Sequence, residues 1–405
     1  YLIHTERSCL PAYSLSHFID KLSVERRAEV YRTREYRSSC AADSVERFTR
    51  EYYGDSEAAV LDKWSRTRLA LQNGAALVME LPLPWAVAGA EKFALGGISL
   101  LNALGCVDTL TFGSETGDTA PLMHCAEYLH SDVFNSDIRP EVAKGVSFAA
   151  ARTEAVKKAL GAETAELLTK PNCILGIEYC KAILSLNSNI VPQTVQRIAI
   201  DHDSDKAHGA FASASLIRSK SAEGEEISSY VPENTAVCIR ALQKEKQYPA
   251  SLSYLDRAVL AAVSAMSPED LRRVPDVSEG IENRILAAAE TAETCTGLFD
   301  AVKTKRYSHA RIRRIVLSAY LGITNDLPNL PPYLRVLGMT SCGAEILHKA
   351  KPMLPIIARP ADVKKLSPEA RSVFELEVRA DNLYSLCTEH RRPANMDYTE
   401  KLIRI

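Results

Sequence analysis

The spacing of apolar residues changes several times along this chain, and each change marks an element. In LDKWSRTRLALQNG, beginning at Leu61, Trp64, Thr67, Leu69 and Leu71 stand among basic residues and the run stops at Asn73-Gly74; this predicts a helix with a glycine terminator. Ala76 to Leu81 is a short apolar run closed by Pro82 and predicts a buried strand. Helical spacing returns from Glu91 to Leu104 and ends before Gly105. Val107 to Phe112 alternates apolar and polar positions as a strand does, then breaks into the small-residue loop Gly113-Ser114-Glu115-Thr116-Gly117-Asp118.

A helical stretch runs from about Ala120 to Leu168, and Lys170-Pro171-Asn172-Cys173 opens another helix that reaches about Leu186. Arg197 to Ile200 predicts a further strand, and Ser213-Ala214-Ser215 a hydroxyl-rich helix start. Strand, helix and strand in this order predict an α/β fold with a parallel sheet and helices on its faces. Beyond residues 221–226 the pattern is mainly helical to about Gly322. A proline-rich extended stretch, Asp326 to Tyr333, and a strand-like run, Met353 to Ala358, follow. These shifts divide the chain into a segment 1–57 with no sustained strand pattern, a domain 58–222 and a mainly helical domain 223–405. Within the first segment, Ser23 to Arg37 has the composition of a charged helix.

Composition narrows the class. The chain has 405 residues, 46% hydrophobic and 25% charged, with 49 Lys and Arg against 51 Asp and Glu. That is a globular balance, and a net charge of -2 is too weak to steer a polyanion, so nucleic-acid binding requires local clusters of cations. None of the 10 cysteines forms a Cys-x-x-Cys pair, which predicts reduced thiols and a cytoplasmic setting. No apolar run is long enough to span a membrane. His124, His130, His202 and His208 form no recognisable ligand pair, so no metal site is expected.

Four places can carry chemistry. Gly113 at a strand end lets backbone amides approach a nucleotide while Ser114 and Glu115 supply a hydroxyl and a carboxylate, though an ordinary turn uses the same residues. Asn172 presents a donor and an acceptor in one plane behind a fixed proline, or serves as a helix cap. Arg197 reaches a phosphate, or a carboxylate of the protein itself. Ser213, Ser215 and Arg218 gather two hydroxyls and a guanidinium at a helix entry, where the alternative is again a cap. In addition, KTKRYSHARIRR places Lys303, Lys305, Arg306, Arg311, Arg313 and Arg314 within twelve residues that contain no acid, with Tyr307 and His309 available for stacking. Phosphate contact or a solvated helix face fits that run.

Taken together, KWSRTRLALQNGAALVMELP (63–82), TFGSETGD (111–118), KPNCILGIEY (170–179), KTKRYSHARIRR (303–314) and PPYLRVLGMT (331–340) resemble the bacterial tRNA(Met) cytidine acetate ligases in content, order and spacing. The resemblance covers about residues 61–405. It implies a Rossmann-like nucleotidyltransferase sheet over 58–222 and a tRNA-binding helical domain over 223–405. It also implies use of ATP, with Mg2+, to activate acetate as acetyl-adenylate, and acetylation of N4 of the wobble cytidine of elongator tRNA(Met), with neither a membrane nor DNA as partner. The family's nucleotide contacts fall on Gly113, Asn172 and Arg197 and, by looser analogy, on Ser213, Ser215 and Arg218. The basic run is then the tRNA contact. One departure stands out: the family opens with a His-x-Gly-His signature, and this sequence contains none. An altered reading frame, a mis-joined start or a decayed enzyme is the expectation for 1–57, which leaves the catalytic residues unassigned. A catalytically inactive tRNA-binding homologue and a nucleotidyltransferase acting on a small molecule are the alternatives.

Overall fold

A computed structural model describes residues 2–4, 59–197 and 214–405. In chain order its strands are β1 (Leu2–His4), β2 (Leu77–Glu80), β3 (Thr109–Ser114), β4 (Val191–Gln196), β5 (Leu334–Met339), β6 (Ile356–Ile357) and β7 (Ile403–Arg404). Two compact units divide the described residues: β1 with 89–197, and 59–88 with 214–405. The sequence pattern draws 58–222 as one domain, whereas residues 59–88 and 214–222 lie in the second unit. Apart from β1, the segment 1–57 and its expected helix lie outside the described residues.

The first unit is built on β3. Its Leu110, Phe112 and Ser114 are buried and the residues between them half-buried, so the alternation legible in the sequence is the alternation of the strand's two faces. β4 pairs with it in parallel, from Thr109 opposite Val191 to Ser114 opposite Gln196, and β1 lies antiparallel on its other edge. Helix Ala90–Leu104 stops at Gly105, whose φ of 72° is the left-handed conformation that glycine adopts without steric cost. Helix Pro171–Ser185 packs on β3 through Gly176. A Cβ there would stand 2.6 Å from the Phe112 ring, and the ring in turn meets Tyr179 edge-on at 5.4 Å. The expected strand from Arg197 is displaced: the paired residues are Val191–Gln196, Arg197 follows them, and 198–200 lie outside the described residues. β4 has half-buried and exposed side chains, so it lacks the apolar signature that drew attention to its neighbour.

In the second unit β2 pairs antiparallel with β5, with a register shift between Val78 and Met79, and β6 and β7 run parallel to β5. β2 is therefore the strand its sequence predicts, but outside the parallel pair β3–β4. β5, buried at every position, carries an arginine and a glycine within six residues, which hides it from a hydrophobic pattern. Helices Asp256–Ser264, Ile281–Ala289, Cys295–Val302 and His309–Leu321 share an apolar core that includes Val259, Ile285, Phe299 and Ile315.

The second unit also contains a buried ionic cluster. The Lys63 ammonium lies 2.7 Å from Asp397 Oδ1 and 3.1 Å from Glu80 Oε1. Arg335 reaches the same Asp397 oxygen at 3.4 Å. Burial opposes the lysine's charge, but Asp397 and then Glu80 outweigh it and hold its pKa above the ordinary value. One ammonium thus ties helix Lys63–Gln72 to β2 and to the C-terminal helical turn Met396–Thr399.

A candidate nucleotide site at the ends of two parallel strands

The C-terminal ends of β3 and β4 converge beside the start of helix Pro171–Ser185. Open α/β sheets bind ligands at this end of their strands. Buried Ser114 holds the loop: its Oγ accepts from Gly117 N at 3.1 Å and from Thr194 Oγ1 at 2.8 Å. Gly117, at φ 67°, passes so near β4 that a Cβ would stand 2.5 Å from Gln196 Cβ, so the loop follows this path only with glycine there.

Glu115 closes the arrangement. Its carboxylate accepts from the Asn172 backbone N at 3.1 Å, from Asn172 Nδ2 at 2.9 Å and from Cys173 N at 2.8 Å. The two backbone donors belong to the first turn of helix Pro171–Ser185, where no helical carbonyl precedes them. Burial pushes the carboxyl's pKa up, but the hydrogen bonds from Cys173 and Asn172 outweigh burial and hold it below the usual carboxylate value. Asn172 is therefore not the helix cap: Lys170 stands at the N-cap position, Glu115 accepts from the first-turn amides, and the same carboxylate orients the Asn172 side-chain amide.

Gly113 and Arg197 face each other across the strand pair. Arg197 N donates to Ser114 O at 2.9 Å, and a Cβ on Gly113 would lie 3.2 Å from Arg197 Cγ. The arginine is exposed rather than buried as its expected strand position implied. Because Glu115 occupies the helix-start amides, a bound phosphate would find its charge partner in the Arg197 guanidinium, not in the helix terminus. Gly113 and Arg197 thus lie side by side at the strand ends, and Asn172 is joined to the same loop through Glu115. Ser213 lies outside the described residues. Ser215 and half-buried Arg218 belong to helix Ala214–Ala222 of the second unit.

The basic run meets acids that its own twelve residues do not contain. Arg306 forms a fork on Glu279 at 3.1 and 2.9 Å, and Arg314 Nε lies 2.7 Å from Asp276 Oδ2. Arg311 donates to Asp276 O at 3.0 and 3.1 Å and to Ser278 Oγ at 2.6 Å. Arg313 is buried with its guanidinium 5.4 Å from the Phe299 ring centroid, and Tyr307 is buried with its hydroxyl donating to Glu279 O. Lys303 and Lys305 are exposed. The run itself contains no acid, but Glu279 and Asp276, some thirty residues upstream, compensate part of its charge in the fold.

No helix among the described residues is long and apolar enough to cross a membrane. Among the same residues no group of three or more His, Cys, Asp or Glu side chains could hold a metal ion.

Residues 52–399 match the family model for HIGH Nucleotidyl Transferase. The chain is 36% identical over 376 residues to the tRNA(Met) cytidine acetate ligase of Acetivibrio thermocellus, covering 86% of this chain and 89% of that protein. It is likewise 36% identical over 359 residues to the protein of that name from Caldanaerobacter subterraneus subsp. tengcongensis, with the same coverage. The fold matches the apo crystal structure of Thermotoga maritima TmcAL with a TM-score of 0.80 at 28% identity, over 86% of this chain and 89% of that one. A crystal structure of the same protein bound with alpha-thio ATP matches with a TM-score of 0.78 at 29% identity, with the same coverage. With a family model over most of its length and near full-length relatives above 30% identity, the chain belongs to the HIGH nucleotidyl transferase family, in its tRNA(Met) cytidine acetate ligase branch.

Proposed function

We propose that this chain is an ATP-dependent ligase that acetylates N4 of the wobble cytidine of elongator tRNA(Met). The observation that carries the proposal is the loop at the ends of β3 and β4, with Gly113 beside Arg197 and Glu115 bound to Asn172, in a chain whose relatives are named tRNA(Met) cytidine acetate ligase. A structural neighbour bound to an ATP analogue supports ATP as the nucleotide.

Acetate is a poor electrophile at neutral pH. In the proposed reaction an acetate oxygen attacks the α-phosphorus of ATP, pyrophosphate departs with the electrons of the broken P–O bond, and acetyl-adenylate results. The cytidine N4 amine then attacks the acetyl carbon. AMP leaves with the bonding pair, and the amine gives up a proton. The protein's part is to position the reactants and to balance phosphate charge. Arg197 balances charge on the phosphates, Gly113 gives the nucleotide access to the strand end, and Asn172 reads a polar edge of the nucleoside while Glu115 fixes its orientation. Mg2+ would come bound to the nucleotide: of the loop's two carboxylates, Glu115 is already engaged by three N–H donors and Asp118 accepts from Ala120 N. Residues 223–405 are the tRNA-binding part, with exposed Lys303 and Lys305 as contacts from the basic run.

Incubation with ATP, labelled acetate and tRNA(Met) tests the proposal. Labelled N4-acetylcytidine is the expected product. The absence of His-x-Gly-His favours a second reading, a homologue that binds tRNA without catalysis. Binding of tRNA without product would select that reading, and adenylate transfer to a small alcohol or amine would overturn both.

A further inference from the structure

Outside the strand-end site, the second unit has an open cleft of about 350 Å³ between one face of helix Pro368–Tyr384 and the segment that follows the helix. This volume lies in the range of small-ligand pockets. Glu375, Arg379 and Asn382 line it from the helix at spacings of four and three residues, which places them on one face. Arg391 and Asn395 line it from the following segment, and Val378, Leu383 and Leu386 supply apolar wall.

The hydrogen-bonding inventory of this cleft is lopsided. Asn382 Oδ1 accepts from Asn395 N at 2.5 Å, and Asn395 Oδ1 accepts from Asn382 Nδ2 at 3.0 Å. Glu375 accepts the Tyr398 hydroxyl at 2.7 Å. Both asparagine oxygens and one oxygen of Glu375 are thus engaged within the protein. The donors are not: the Asn395 amide nitrogen is left over, Arg391 uses only Nε, on Ser385 Oγ at 3.2 Å, and both guanidiniums are on exposed residues. Asn395 has a φ of 62°, a left-handed conformation that a non-glycine residue adopts here in its two hydrogen bonds with Asn382. Against two guanidiniums stands one carboxylate, so the lining carries a net charge of about +1.

We propose that this cleft binds a phosphate group, held by Arg379, Arg391 and the Asn395 amide. Planar guanidinium forks match phosphate oxygens in shape and charge. Phosphate of this kind has two sources, the backbone of an RNA or a free phosphate species. The first rests on the tRNA-binding function proposed above, and the second does not.

The test uses the full chain and the double variant R379Q/R391Q, with R379K/R391K as a comparison that keeps charge but loses the fork. Thermal unfolding checks folding; both arginines are exposed, so the midpoint should hold. Labelled tRNA(Met) is titrated by fluorescence anisotropy across a salt series, and inorganic phosphate is titrated separately by NMR. If RNA is the source, R379Q/R391Q should bind tRNA roughly ten- to thirtyfold more weakly, with the slope of log K against log salt reduced by about 0.7 to 0.9, as one lost phosphate contact requires. The lysine variant should recover the slope better than the affinity. If tRNA binding is unchanged but shifts induced by inorganic phosphate at the cleft disappear in the glutamine variant, a free phosphate species is the source. When the wild type binds no tRNA yet shows those phosphate shifts, the cleft stands and the tRNA reading falls. Equal tRNA and phosphate binding by wild type and R379Q/R391Q overturns the proposal, as does binding of neither.

Discussion

Removal of the Glu115 carboxylate is the perturbation whose consequences follow most directly from the geometry of the strand-end site. Glu115→Ala takes away three hydrogen bonds and leaves the backbone amides of Asn172 and Cys173 without that acceptor. Hydrogen bonds to charged groups contribute roughly 1.5–3 kcal/mol each, and a carboxylate at a helix N-terminus adds about 0.3–1 kcal/mol. The site is half-buried, so water replaces part of the loss; discounting for that gives a destabilisation of about 2–3 kcal/mol. Glu115→Gln keeps an acceptor and loses the charge, which should cost about 1 kcal/mol. The sign with pH follows from the depressed pKa of the folded state. The carboxylate's contribution is fully present above its ordinary value of 4.5 and is lost as pH falls through the lower folded value. Urea unfolding from pH 7 down to pH 3 should therefore show the gap between wild type and Glu115→Gln constant at neutral pH and closing below about 4.5. Hydrogen exchange should report faster opening of the first turn of helix Pro171–Ser185. Equal midpoints for wild type and Glu115→Ala, or a gap indifferent to pH, would refute the reasoning.

Three further outcomes can be measured. Gly176→Ala should separate helix Pro171–Ser185 from β3, because the added carbon meets the Phe112 ring at 2.6 Å; a loss of about 1–3 kcal/mol is expected from thermal unfolding, and a neutral result would contradict the close packing. Lys63→Met leaves Glu80 and Asp397 buried without their common cation and should cost about 3–5 kcal/mol in denaturant unfolding; a stabilised variant would show that this ion pair is dispensable. Neutralising Asp276 and Glu279 together frees the guanidiniums of Arg306 and Arg314. Under the proposed function this should raise tRNA affinity and steepen its salt dependence by up to about 1.4 units of slope, and an unchanged slope would place the RNA elsewhere.

What could be read from the sequence was local. β3 was legible because one of its faces is buried and the other is not, so hydrophobicity alternates with geometry. Gly105 announced a helix end because only a left-handed residue could close that turn. The partner of β2 was illegible: its ladder is with β5, more than two hundred residues later, and short apolar strands carry no address for their neighbours. β4 escaped because VPQTVQ lies where its side chains are half-buried or exposed, so no pattern separates it from a loop. The candidates Gly113, Asn172 and Arg197 stood out by their chemistry and by motif resemblance, whereas the capping role of Glu115 depends on contact across fifty-seven residues. The partners of the basic run were illegible for the same reason: charge counted along the chain omits Asp276 and Glu279, which meet it only in the fold.

Calorimetric titration with a non-hydrolysable ATP analogue, performed on wild type and on Arg197→Ala alongside tRNA(Met) binding, bears most directly on the strand-end site. Saturable binding to the wild type, lost or greatly weakened in the variant while tRNA affinity holds, is the result expected if the ends of β3 and β4 hold a nucleotide. A folded wild type that takes up no adenine nucleotide, or an arginine variant that loses ATP and tRNA equally, would contradict it.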